Sequence, residues 1–331
     1  MIIVFFRNIS CFKDKSLFVY KNWMLKTYQT TLAEPLKFEG IGLHSGTISE
    51  IKILPAEADQ GVIFKRVDIE KNNLIQANYL NVTSAKLCTT LENNFGVKVS
   101  TVEHLLAALY LAEIDNVIIE INSEELPIMD GSAKNFLETL KNSEIKTLSK
   151  KREFLKVINK VEIIDGDRKI SLEPSDETLE VEFQLNYENK VIGKQKNIVN
   201  FNNDNVEDVY KSRTFCLYKD IEQIKKAGLA KGGSLENAIV VDDEKVLNEG
   251  GLRNEKEFVN HKILDLVGDF MLSGFRILGK VKCYQGGHQL TNLFLRKLLN
   301  STQAEKNRNF EKFITPDKFR TKSSTKIAIN A

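Results

Sequence analysis

Of the four histidines in this chain, His261 carries the most telling spacing, standing four positions before Asp265 in NEKEFVNHKILDLVGDFMLSG (254–274). The apolar periodicity predicts a helix there, closed by Gly274. At 3.6 residues per turn a spacing of four puts both side chains on one face, and Asp269 extends the stripe by another turn. A histidine and a carboxylate so placed can supply two of the three protein ligands of a catalytic zinc. An isolated HxxxD is more often a solvated His–Asp pair, so the pattern needs company. Glu103-His104 opens a second predicted helix, STVEHLLAALYLA (100–112), whose Ser100-x-x-Glu103 start reads as a capping box. A carboxylate beside a ligating histidine can take a proton from a water that a metal has activated, although the HExxH arrangement is absent. Glu103 as capping residue and His104 as core histidine are the structural alternatives.

His288 follows Gly286-Gly287 and opens the last predicted helix, 288–299. A protonated imidazole there can stabilise an oxyanion or give a proton to a leaving amine, with Asp269 holding its charge. Alone it would be only a helix-start residue. Taken together, His104, His261 and Asp265 make a set of two histidines and one carboxylate with an open fourth position, and Glu103 becomes a base at that position. This requires the two helices to close on one site. His44, in GIGLHSG (40–46), lies in a glycine-flanked turn that can face a ligand or be merely a turn. The stretch AGLAKGGSLENAIVVDD (227–243) is either a loop over a cleft or a surface connection.

The elements that must position these residues recur in order. A helix (100–112), a strand (116–122) and a helix starting near Gly131 in the first half are matched by a helix (254–273), a strand (277–284) and a helix (288–299) in the second. TISEIKIL (47–54) and LEVEFQLNY (179–187) alternate as half-buried strands do. Mixed strands and helices within each half, joined by the charged KNSEIKTLSKKR (141–152), favour an α+β fold of two similar domains packed face to face.

At 331 residues, with 42% hydrophobic and 28% charged side chains, the chain is long enough to bury a large core and is not disordered in bulk. No apolar run reaches the roughly 20 residues of a membrane helix. Neither GxxxxGK[ST] nor a helix-opening GxGxxG occurs, which excludes the common phosphate loops. The four cysteines form no CxxC, so neither a cysteine zinc site nor a disulfide framework is expected. The net charge of +2 conceals +3 on residues 1–23 and +4 on 301–331, leaving −5 on 24–300. A nucleic-acid-binding core is therefore not expected. Translation is expected to start at Met24, with 1–23 an extension outside the fold and 301–331 a loosely held basic tail suited at most to an anionic membrane surface.

STVEHLLAALY, IDNVIIEI, LPIMDGSA, SRTF (212–215), AGLAKGGSLENAIVVDD, LNEGGLRNEKEFVNHKILDLVGDF and GGHQLTN, in this order over about 31–299, resemble the UDP-3-O-acyl-N-acetylglucosamine deacetylases, zinc amidases that commit Gram-negative bacteria to lipid A synthesis. The resemblance implies two layered α+β domains, 24–145 and 146–300, with the site between them. It implies His104, His261 and Asp265 as ligands of one Zn2+ (Fe2+ being an alternative in the cell) and Glu103 as general base. His288, supported by Asp269, is implied as the acid partner and Thr214 as an oxyanion contact. Lys262 is implied to reach the diphosphate, Leu87, Cys88 and Thr89 to line the site beside the metal, and the loop 227–235 to wall the acyl passage. His44 and Phe215 fall in family motifs as substrate contacts. At the uridine site the family's Asp-Phe pair is replaced here by Asn186-Tyr187, which keeps an aromatic ring. The implied protein is a cytoplasmic monomer acting on an acylated UDP-sugar, without nucleic acid and without stable membrane insertion.

Overall fold

The computed structural model describes residues 27–175, 179–300 and 310–314. The 1–23 extension and the Met24 start lie outside the described residues. The first half runs through strands Tyr28–Leu32 (β1), Leu36–Ile41 (β2), Ile48–Pro55 (β3), Val62–Arg66 (β4), Leu74–Gln76 (β5), Val82–Ser84 (β6), Thr90–Glu92 (β7) and Lys98–Ser100 (β8). Helix Glu103–Leu111 (α1), strand Val117–Ile121 (β9) and helix Lys134–Lys141 (α2) complete it. The second half opens with Ile145–Lys151 (β10), Glu153–Val157 (β11), Val161–Asp165 (β12), Arg168–Glu173 (β13), Leu179–Asn186 (β14) and Lys194–Asn200 (β15). Then come Glu207–Tyr210 (α3), Phe215–Leu217 (β16), Tyr218–Lys226 (α4), Ile239–Val241 (β17), Glu257–Met271 (α5), Arg276–Tyr284 (β18), His288–Leu299 (α6) and Phe310–Ile314 (β19). The fold is α+β.

One sheet has the order β2-β3-β9-β4-β5, in which β9 is antiparallel to β3 and parallel to β4. The order β12-β13-β18-β14-β15 repeats it with the same senses, β18 lying antiparallel to β13 and parallel to β14. Period-2 burial explains why these sequences make strands: in β14, Leu179, Val181, Phe183 and Leu185 point inward and the residues between them outward. The outward positions are stitched by Lys–Glu pairs, such as Lys282–Glu173 and Lys280–Glu180, both 2.6 Å, and Lys196–Glu182, 2.7 Å. Such half-exposed pairs contribute only a few tenths of a kcal/mol each and act mainly to keep that face wet.

Helices α1 and α5 are buried almost all round, unlike surface helices with one apolar stripe, and they pack on each other. Helix α2 packs on α1, and α6 on α5. The crossing of α1 and α5 is close enough that a Cβ on Gly268 would stand 2.1 Å from the Glu103 carbonyl oxygen. Only glycine permits that approach. Among the described residues no helix is long and apolar enough to cross a membrane.

Two expectations need correction. Ser100 and Glu103 do not form a capping box: Ser100 ends β8, paired with Thr90, and its hydroxyl bonds the Glu124 carbonyl. Thr101 then turns through the left-handed region (φ 57°), so α1 starts at Glu103 after Val102 with no side-chain cap. Strand pairing and that turn hold Ser100 out of reach of the helix N-terminus. Residues 310–314, placed by the sequence in a loose tail, instead pair antiparallel with β11.

Candidate metal centre

His104 is the second residue of α1, while His261 and Asp265 lie one turn apart on α5. The helix crossing brings His104 Nε2 to 3.5 Å and His261 Nε2 to 3.4 Å from Asp265 Oδ1. Their ligand atoms all fall within 4.8 Å of one another, and the two imidazoles are nearly perpendicular (81°). Donors about 2.1 Å from a tetrahedral metal stand about 3.4 Å apart, so these separations are those of an N,N,O ligand face. Two further observations fit a cation. Asp265 Oδ2 accepts from Lys262 Nζ at 2.8 Å, whereas the buried Oδ1 has no hydrogen-bond partner among the described residues. His261 Nδ1 lies 3.1 Å from the Ser212 carbonyl; donating there fixes the tautomer that leaves the Nε2 lone pair for a metal.

The electrostatics agree with this arrangement. Burial lowers the His261 pKa to about 3, outweighing Asp265, so the ring is neutral and able to ligate. Burial opposes ionisation of Asp265, but His261, Lys262 and His288 together hold it well below the usual carboxylate range. Burial likewise depresses Lys262, yet Asp265 and its neighbours hold its pKa above the ordinary value.

Beside these three side chains sits a second pair. Burial raises the Glu103 pKa, the suitable direction for a group that must accept a proton and later give it up, while His288 and His104 oppose the rise. His288 Nε2 stands 3.7 Å from Glu103 Oε1, and its Nδ1 lies 2.8 Å from Asp269 Oδ2. Burial alone would discharge His288, but Asp269, Glu103 and Asp265 outweigh it and lift the pKa to about 10. Glu103 is thus made more basic than an ordinary carboxylate, and His288 is held protonated.

Glu103, His104, His261, Lys262, Asp265 and His288 line one cleft together with His44, Leu87, Cys88 and Thr214. The space before them is about 20 Å³, room for a single water-sized occupant. A roomier cavity of about 300 Å³ at the other end of α5, beside Arg152 and Arg276, contains none of these residues, so chemistry rather than volume locates the site. Asp269 and Thr89 lie behind the cleft wall, both hydrogen-bonded into it. Phe215 sets its ring 6.2 Å from that of His261, and Tyr187 packs edge-on against Phe215 at 5.9 Å. Burial raises the Cys88 thiol to about 12, which leaves it an inert wall residue. The loop 227–235 donates Lys231 N–H and Gly232 N–H to the carbonyls of His44 and Leu43, tying it to the GLHSG turn.

Several supporting residues escaped the sequence reading. The buried Glu125 carboxylate accepts from the amides of His44 and Ser45 and from the Thr101 hydroxyl. Buried Glu257, first residue of α5, binds Arg213 and so anchors the segment carrying Ser212 and Thr214. Their partners are distant in sequence or are backbone atoms, and no local pattern marks them.

A family model for UDP-3-O-acyl N-acetylglycosamine deacetylase matches residues 29–300. The chain is 42% identical over 274 residues to the UDP-3-O-acyl-N-acetylglucosamine deacetylase of Geotalea uraniireducens, covering 82% of this chain and 89% of that one. It is also 42% identical over 279 residues to the enzyme of that name from Pasteurella multocida (83% and 91%) and 40% identical over 272 residues to that of Nautilia profundicola (82% and 91%). A match of this extent, spanning every residue of the centre described above, means that the chain belongs to the UDP-3-O-acyl-N-acetylglucosamine deacetylase family.

Proposed function

We propose that this chain is a zinc-dependent amidase that removes the N-acetyl group of UDP-3-O-(3-hydroxyacyl)-N-acetylglucosamine, releasing acetate and the 2-amino UDP-sugar, the committed step of lipid A biosynthesis. The observation that carries this reading is the convergence, in a member of this family, of an N,N,O ligand face with a buried Glu–His pair. His104, His261 and Asp265 would hold the ion, one per chain. Zinc is the proposed occupant, and Fe2+ can serve in the cell, since such donors accept either. Bound there, the ion supplies Lewis acidity, lowering the pKa of a water and polarising the acetamide carbonyl.

Glu103 takes the proton of the attacking water, through the carboxylate that burial makes more basic. The oxyanion that develops as water adds to the carbonyl carbon faces the Thr214 hydroxyl. His288, kept protonated by Asp269, gives a proton to the amine nitrogen as the C–N bond breaks. Lys262 holds Asp265 in place and meets the diphosphate. Tyr187 and Phe215 offer aromatic faces toward the nucleotide end, and His44 a polar contact. Leu87, Cys88 and Thr89 flank the metal side, and the loop 227–235 walls the acyl passage.

The proposed layout is two similar domains, 24–145 and 146–300, layered face to face about α1 and α5. The repeated strand order and the α1–α5 packing support it. The proposed protein is a cytoplasmic monomer. The test pairs metal analysis with acetate release from the acylated UDP-sugar. Glu103→Ala and His288→Ala are expected to keep the metal and lose turnover by orders of magnitude; near-normal rates in both variants would refute the assignment.

A further inference from the structure

We propose that Thr89 is the positioning residue that locks the base and the acid of this centre to each other. The inference rests on the deacetylase reading of the site. Thr89 is 1% exposed and stands behind the cleft wall. Its backbone N–H donates to Glu103 Oε2 at 3.1 Å, and its hydroxyl donates to Asp269 Oδ1 at 2.7 Å. The other oxygen of Asp269 meets His288 Nδ1 at 2.8 Å, and His288 Nε2 returns to within 3.7 Å of the other oxygen of Glu103. The four residues form a closed ring in which each carboxylate has one oxygen held by Thr89 and the other turned toward His288.

That division matters because a carboxylate with one free rotation can present either oxygen. With Oδ1 pinned, Asp269 offers Oδ2 to the imidazole in one orientation, and the ring of His288 aims Nε2 into the cleft. With Oε2 pinned, Glu103 keeps Oε1 for the water. Thr89 reaches this place through an uncommon backbone: Leu87, two residues earlier, has φ 69° and is half exposed. A leucine in the left-handed region is strained, and such strain persists only where surrounding contacts fix it, typically around functional sites. Here it turns the chain so that both the amide and the hydroxyl of Thr89 point inward.

The test is Thr89→Val, which keeps the shape and the amide but removes the hydroxyl, alongside Thr89→Ser, which restores it. In the holoenzyme, Val is expected to lower kcat at least tenfold with KM and metal content unchanged, and Ser to recover kcat to within a few-fold of the parent. A role in packing alone would show the opposite order, because Val retains the volume that Ser lacks. A second readout is independent of turnover. The His288 Nδ1–H proton is expected as a slowly exchanging downfield resonance in the parent and in Ser, and broadened in Val. Retention of parental kcat and of that resonance in Thr89→Val would overturn the proposal. Absence of acetate release from the parent would instead count against the deacetylase reading, while the resonance still decides the role of Thr89.

Discussion

Replacing Gly268 by alanine tests whether the centre depends on how closely α5 crosses α1. The added Cβ would lie 2.1 Å from the Glu103 carbonyl oxygen and 2.9 Å from its carbonyl carbon, both of them backbone atoms. An ordinary C···O contact is about 3.3 Å, so the helices must part by about 1 Å. Alanine improves helix propensity by about 1 kcal/mol over glycine, whereas overpacking a close-packed crossing costs about 1–3 kcal/mol. The clash should therefore win, with a melting temperature lower by a few degrees. The larger effect falls on function. Glu103 and His104 ride on α1, and His261, Asp265 and Asp269 on α5, so parting the helices moves Glu103 and His104 away from the rest. A misplacement of about 1 Å costs on the order of 10²-fold in rate. Weaker metal retention, by about 10–100-fold, is expected as well. The assay is kcat, metal dissociation by chelator competition and thermal melting, with Gly166→Ala as control. Gly166 lies outside the helix crossing, with positive φ (57°) and open space around it, so its alanine variant should lose stability without losing rate. Parental kcat and metal affinity in Gly268→Ala would refute the reasoning.

Glu103→Gln should lower kcat by about 10²–10⁴-fold while metal content, measured by elemental analysis, stays at one per chain. Lys262→Met leaves Asp265 Oδ2 without its 2.8 Å donor; metal affinity should fall about 10–100-fold by chelator competition, and an unchanged affinity would contradict the positioning role. In metal-free protein, the His288 pKa of about 10 lies above its unfolded value of about 6.5. The resulting stability, on the order of a few kcal/mol, is fully present below about pH 6.5 and is lost as pH rises toward 10. Denaturant midpoints across that window should fall in the parent and flatten in Asp269→Asn, which removes the nearest stabilising charge.

The shared face of His261 and Asp265 was legible because helical period is short-range arithmetic: the two must lie together in any helix through 254–274. Strands such as β14 and β9 were legible for the same reason, their alternation being a local record of which face is buried. The Ser100-x-x-Glu103 pattern failed because capping depends on where a helix starts, and strand pairing of Ser100 with Thr90 decided that. Strand 310–314 was missed because its pairing partner is β11, far back in the chain, and its own composition is that of a polar tail. Thr89 was expected among the lining residues, but its two hydrogen bonds into the ring of Glu103, Asp269 and His288 depend on a backbone turn at Leu87 that no side-chain pattern announces.

Roughly 160 residues separate His104 from His261, and a single ion held by both would close that span of chain into a loop. By the chain-entropy argument used for disulfides, a cross-link over such a span restricts the unfolded ensemble by about 5 kcal/mol. A chain with no CxxC pair can in this way acquire a staple across its middle from two histidines and an aspartate. The same atom that would activate water would then also tie the front half of the polypeptide to the back.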